Sequence, residues 1–155
     1  MKKENGFSIT ELMIAIAIIA IVGAIVIPGF VDWRNRSRLQ GYANNFKADF
    51  ELAKMRAIKE NTFVVIEVNQ PAFNGYRVYV DGGATAWTVD PGEVVLRDVE
   101  FPDGLEYDPV SSTFLNHRTR FNGRGLPGSI GTAVLVQGPD QRQLTINRVG
   151  RLTLQ

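Results

Sequence analysis

The feature that most limits what this chain can fold into is a run of twenty uncharged, mostly apolar residues from Leu12 to Val31, set behind a short polar leader. At about 1.5 Å of rise per residue, twenty helical residues reach roughly 30 Å, the thickness of a bilayer's hydrocarbon core. A secretory signal has a shorter apolar region, roughly 7–15 residues, followed by a small-residue cleavage site. No Ala-x-Ala site follows this run. The natural joint, Gly6-Phe7, lies in front of it. The apolar run is therefore expected to stay with the mature protein. Lys2 and Lys3 precede it, which predicts a cytoplasmic N-terminus and places the rest of the chain across the membrane.

The segment Gly6-Phe7-Ser8-Ile9-Thr10-Glu11, together with the apolar run, resembles the N-terminus of type IV pilins and pseudopilins. The resemblance implies that a prepilin peptidase/methyltransferase cuts between Gly6 and Phe7 and methylates the new amine of Phe7. It implies that the helix packs in a filament core against other pilin or pseudopilin subunits. Residues 1–6 would then be a cleaved leader and 7–31 the transmembrane and assembly half of a helix. Residues 32–155 would be a periplasmic globular domain. The subunit would wait in the inner membrane before entering a pilus or pseudopilus.

Glu11 has two readings. A carboxylate close to hydrocarbon is costly unless paired. Cleavage before Phe7 would create an α-amine that Glu11 of a neighbouring subunit could meet, setting axial register. Ser8-Ile9-Thr10-Glu11 also fits a capping box, and an acidic residue in a first turn suits the helix dipole. The resemblance favours the assembly role. Pro28 removes a backbone donor and marks a soft point in the helix between Gly23 and Gly29.

The helical pattern resumes beyond Pro28. Leu39, Ala43, Phe46, Phe50, Ala53 and Ala57 recur at alternating steps of four and three, one apolar stripe on a helix. One helix from about Ser8 to Lys59 is expected, apolar all round in its first half and amphipathic in its second. After Lys59 strand signals take over. Phe63–Val68 and Tyr76–Val80 read as a hairpin with turn residues at Pro71 and Asn74-Gly75. Val94–Leu96 with Val99, Thr119–Phe121, Thr132–Val136, Leu144–Val149 and Arg151–Leu154 are further candidates, with a turn at Gly138-Pro139-Asp140. The fold class is α+β, pilin-like: one long N-terminal helix packed on a mostly antiparallel sheet. The chain has no cysteine, so packing alone must stabilise the domain.

Thr119-Arg-Phe-Asn-Gly-Arg-Gly125, Gly131-Thr132, Leu144-Thr-Ile146 and Gly150-Arg151 are similar to the end of the GspH/FimT group of minor pilins and pseudopilins. This resemblance implies a subunit that primes or caps a filament. Charge is segregated. Residues 60–108 carry ten acidic and two basic groups. Residues 109–155 carry Arg118, Arg120, Arg124, Arg142, Arg148 and Arg151 against Asp140. Arginine suits forked contacts with carboxylate or phosphate. Arg118, Arg120, Arg124, Arg148 and Arg151 are thus candidates for contact with a partner subunit or with DNA, and a solvated or self-neutralised surface is the plain alternative. DNA is the less favoured reading. Net charge is only +1, and Gly150-Arg151-Leu152-Thr153 lacks the second arginine of the Gly-Arg-x-Arg motif seen in DNA-binding relatives.

Signals for catalysis or cofactors are weak. Gly123-Arg-Gly125-Leu-Pro-Gly128 matches G-x-G-x-x-G, but strand signals follow it, whereas a dinucleotide loop opens a helix. It reads as a glycine-rich turn. His117, the single histidine, reads as a surface or loop residue. Asp98, Glu100, Asp103, Glu106 and Asp108 supply oxygen ligands of the kind Ca²⁺ takes, without an EF-hand pattern. They read as a solvated acidic surface. No cofactor or metal is expected. The expected function is a non-enzymatic minor pilin or pseudopilin of a type IV pilus or type II secretion system. The alternatives are a DNA-binding minor pilin and a membrane-anchored periplasmic enzyme.

Overall fold

The computed structural model describes residues 8–70, 73–83 and 85–155. Gly6 and Phe7, the expected processing joint, lie outside the described residues. The chain divides into two compact units, Met1–Ser37 and Arg38–Gln155. Helix α1 runs from Ile9 to Glu60, close to the expected bounds, and stays helical through Gly23, Pro28 and Gly29.

Within the first unit no described residue is buried. Ile9, Ile19 and Ile25 are 79%, 70% and 73% exposed. The cause is compositional, because a helix that is apolar on every side has no polar face to turn outward. The helix is long and apolar enough to cross a membrane. At its start the Ser8 carbonyl accepts from Leu12 N–H at 3.1 Å. The Ser8 hydroxyl sits 2.7 Å from that of Thr10.

In the second unit the predicted stripe is the buried face. Leu39, Ala43, Phe46, Phe50, Ala53 and Ala57 are all 0% exposed. The helix ends in a Schellman turn. Asn61 takes φ 50°, Thr62 N–H reaches Ala57 O at 3.2 Å and Asn61 N–H reaches Ile58 O at 3.4 Å. These bonds satisfy carbonyls the helix leaves open.

Among the described residues eight strands follow: β1 (Phe63–Gln70), β2 (Phe73–Asp81), β3 (Val95–Glu100), β4 (Leu105–Tyr107), β5 (Arg118–Phe121), β6 (Gly131–Gln137), β7 (Asp140–Ile146) and β8 (Leu152–Leu154). They form two four-stranded sheets rather than one, in the orders β3-β2-β1-β5 and β4-β6-β7-β8. Every pairing is antiparallel. Val64, Ile66, Val68, Tyr76, Val78 and Phe121 from the first sheet meet Leu105, Tyr107, Ala133, Leu135, Leu144 and Ile146 from the second, with the helix stripe, in one core. Aromatic edges close it, with Phe46 4.8 Å from both Phe50 and Tyr76. Polar locks join helix and sheets. Tyr76 Oη donates to Asp49 Oδ2 at 2.6 Å, Arg97 Nε to Asp49 Oδ1 at 3.2 Å, and Arg142 Nε to Gln40 Oε1 at 2.7 Å. Burial and the bond to Asp49 push the Tyr76 phenol well above its ordinary range.

Three strand expectations need correction. Asn74-Gly75 lies inside β2, where Gly75 pairs with Glu100 and Asn74 O accepts from Phe101 N–H. β7 begins at Asp140 and ends at Ile146 instead of spanning Leu144–Val149. Its polar first half is held by pairing with β6 from Gln137↔Asp140 onward. β4 has no counterpart among the expected strands.

Candidate functional site: two sets of arginines

The structure divides the five arginines singled out by the sequence. Arg118 and Arg120 alternate with the fully buried Thr119 and Phe121 on β5, so both project from the far face of the sheet. There Trp87, from the connection between β2 and β3, lies over them. Both guanidinium carbons lie over the Trp87 ring, at 4.8 Å for Arg118 and 4.5 Å for Arg120. Arg120 also sits 4.2 Å from the Phe63 ring and 3.5 Å from Asp81 Oδ2. Arg118 Nη1 donates to Trp87 O at 3.3 Å. Asp81 in turn accepts from Trp87 N–H at 3.2 Å, which holds that tryptophan at φ 70°. Val65 and Tyr79 are fully buried beneath.

The same face carries a cross-strand row of alternating charge: Asp98 beside Arg77, Arg77 beside Glu67, Glu67 beside Arg118. Arg77 Nη2 reaches Asp98 Oδ2 at 2.7 Å. Burial pushes the Glu67 carboxyl up, against the pull of Arg118 and Arg77. Acidic and basic segments therefore neutralise each other here, and Arg118 and Arg120 serve as roof and stacking partners.

Arg124, Arg148 and Arg151 are placed differently. They occupy two turns built to one plan, Asn122-Gly-Arg-Gly-Leu126 and Asn147-Arg-Val-Gly-Arg151. In each, the Asn carbonyl accepts from the Gly N–H three residues on, at 2.8 and 3.0 Å. In each, the Asn N–H donates to the carbonyl four residues on, at 3.1 and 3.2 Å. The Asn Oδ1 takes the N–H groups two and four residues on: 2.9 and 3.1 Å in the first turn, 3.1 and 2.9 Å in the second. Gly125 and Gly150 take φ +73° and +72°, a region that favours glycine.

The twin turns abut. A Cβ at Gly150 would run into Gly125 O and Lys54, and one at Gly125 into Ile58 and Lys54. Lys54 Nζ donates to Gly150 O at 2.8 Å, tying the pair to α1. All three arginines are exposed, with no side-chain partner among the described residues. The result is two adjoining turns that carry three guanidinium groups, a residue type suited to forked contact with carboxylate or phosphate. The signal for it in the sequence is a twice-used Asn-x-x-Gly spacing, at Asn122–Gly125 and Asn147–Gly150.

The other candidates resolve simply. Gly123–Gly128 is a turn, with Phe121 bridged to Pro127. His117 is half-buried, its Nδ1 3.2 Å from Tyr107 Oη. Asp108 caps the N–H groups of Val110 and Ser111 at 2.9 and 3.2 Å. Among the described residues no group of His, Cys, Asp or Glu converges as a metal site.

An apolar N-terminal helix joined to a helix-packed, two-sheet antiparallel domain defines a subunit of the pilin class. The Type II transport protein GspH family matches residues 42–150 and the prokaryotic N-terminal methylation motif matches residues 1–27; the chain belongs to the GspH family. It is 28% identical to the pilin-like protein PilA1 of Thermus thermophilus, covering 98% of this chain and 99% of that one. It is 40% identical over 52 residues to the type IV major pilin protein PilA of Myxococcus xanthus, covering 34% and 24%. Its fold matches the minor pilin FimU of Pseudomonas aeruginosa with TM-score 0.60 at 19% identity, covering 77% and 90%. It also matches the minor pseudopilin EpsH of Vibrio cholerae with TM-score 0.56 at 16% identity, covering 76% and 95%.

Proposed function

We propose that this chain is a non-enzymatic minor subunit of a type IV pilus or type II secretion pseudopilus. It is held in the inner membrane, cut by prepilin peptidase between Gly6 and Phe7, and methylated at Phe7. The observation that carries the reading is the contrast within α1, whose first half buries none of its described residues while the apolar stripe of its second half is buried in its own domain. An apolar helix of that length needs lipid or neighbouring subunits around it. The methylation-motif match over residues 1–27 supports processing. Orientation rests on the leader and its joint rather than on a count of flanking cations, since Arg34, Arg36 and Arg38 follow the apolar run.

Intact mass of the chain purified from membranes tests this. A mature species beginning at N-methylated Phe7 is expected, and a retained leader would overturn processing. Glu11→Ala should still insert in the membrane, but it should be lost from sheared filament fractions. A second reading, capture of duplex DNA, is supported by the three exposed arginines of the twin turns. Its mark is a mobility shift that weakens steeply with salt.

A further inference from the structure

The apolar run of α1 ends at Val31, and its character reverses at once. Phe30 and Trp33 stand three residues apart on one side of the helix, their ring centroids 5.7 Å apart and their planes tilted by 37°. Both are more than half exposed, at 57% and 63%. Large rings left open at the end of a membrane-length run suit the boundary between hydrocarbon and headgroups. Arg34, Arg36 and Arg38 follow directly, and all three are exposed. With Asp32, the segment 32–38 carries three basic groups and one acidic, a net charge of +2.

Helix geometry decides where those cations point. At about 1.5 Å of rise per residue, Arg34 lies about 4.5 Å and Arg36 about 7.5 Å beyond Val31 along the axis. Arg38 follows one turn after Arg34. The headgroup layer is about 5–8 Å thick on each side of the hydrocarbon. Helical side chains lean toward the N-terminus of their helix, here back toward the apolar run. A long arginine stem carries its head down to the interface in the same direction. Arg34 and Arg38 share a face, four residues apart, and Arg36 lies on the other side. The three heads therefore ring the helix at headgroup depth instead of converging on one pocket.

We propose that Arg34, Arg36 and Arg38, with Phe30 and Trp33, form a collar that gathers anionic phospholipid where α1 leaves the bilayer. The guanidinium forks take headgroup phosphates, and the net positive charge favours anionic lipids over zwitterionic ones. The collar fixes the depth of the helix while the subunit waits in the membrane. This rests on the membrane-held filament-subunit reading and names the lipid class that holds the subunit.

Trp33 supplies the probe, because the chain has two tryptophans and Trp87→Phe leaves it alone. The full chain with that substitution is reconstituted at low density in phosphatidylcholine vesicles containing phosphatidylglycerol. Energy transfer from Trp33 to a trace of pyrene-labelled lipid reports which lipid surrounds the collar. Labelled phosphatidylglycerol should be enriched over labelled phosphatidylcholine by roughly twofold or more at low salt, falling toward parity as salt rises. Arg34→Gln, Arg36→Gln and Arg38→Gln together should abolish the preference. Arg34→Lys, Arg36→Lys and Arg38→Lys together, which keep the charge, should retain most of it. Phosphate replacing chloride at equal ionic strength should leave it unchanged. Equal transfer to the two lipids, or a preference that survives the glutamine changes, would overturn the proposal. So would loss in the lysine chain, or a loss specific to phosphate, which would show a small-anion site. Either threading of the helix places the collar at one interface of the vesicle, so the result does not depend on processing. A retained leader in membranes fails the filament reading itself, whereas an inserted chain without lipid preference fails only this contact.

Discussion

The two halves of α1 share a backbone conformation and differ in where their burial comes from. From Ile9 to Ser37 no described side chain is buried, although most are apolar. From Leu39 to Ala57 the stripe is completely buried by sheets of the same chain. Helix formation alone therefore says little about what stabilises a helix, because the packing partner decides it. One half is finished by intramolecular packing. The other is left for an apolar environment supplied from outside. The unit Arg38–Gln155 holds every buried described residue, so its core is complete without the first unit.

Core truncation should break that contrast most strongly. Phe50 is fully buried, with Phe46 4.8 Å away and Phe114 6.3 Å away. Phe50→Ala should cost the domain about 3–5 kcal/mol, read from denaturant unfolding. Ile19→Ala should leave the same midpoint within about 0.5 kcal/mol. Gly150→Val comes next. It forces a branched residue to φ +72° against Gly125 O and Lys54, and a loss of roughly 1–3 kcal/mol is expected. Lys54→Met keeps the stem and removes the charged donor to Gly150 O. It should cost about 1–2 kcal/mol and loosen both twin turns, seen as faster amide exchange at Gly125 and Gly150.

The smallest effect concerns Asp108. Hydrogen bonds from the Ser111 side chain and from the Val110 and Ser111 N–H groups hold its carboxyl below the ordinary value of 3.8. A depressed folded-state pKa contributes stability above the unfolded value, and that contribution disappears as pH falls through the folded one. The gap in unfolding midpoint between the parent and Asp108→Ala should be constant above about pH 4 and close below it. A gap that widens in acid would contradict the capping role.

Much of this architecture was legible in the sequence where periodicity was strong. Six residues at steps of four and three defined the buried helix face, and β1, β2, β5 and β6 announced themselves by β-branched and aromatic runs. Legibility failed where pairing overrode composition. Asp140–Gln143 is polar, yet it forms the first half of β7 because β6 lies beside it. Leu105–Tyr107 is only three residues long, too short for alternation to register. The split into two sheets depends on long-range pairing that local patterns do not encode.

The arginines teach the same lesson. Alternation in Arg118-Thr-Arg-Phe121 reveals that Arg118 and Arg120 share a face. Nothing local foretells that Trp87, more than thirty residues earlier, covers them. Arg124, Arg148 and Arg151 come to adjoining turns only because Gly125 and Gly150 meet over Lys54.

Burial is thus divided within a single helix. Its most direct test compares unfolding of the full chain in detergent with that of residues 38–155 alone. One cooperative transition is expected in each, with midpoints that agree once detergent is matched. A shortened domain that unfolds non-cooperatively, or at a substantially lower midpoint, would show instead that the apolar half contributes to the domain core.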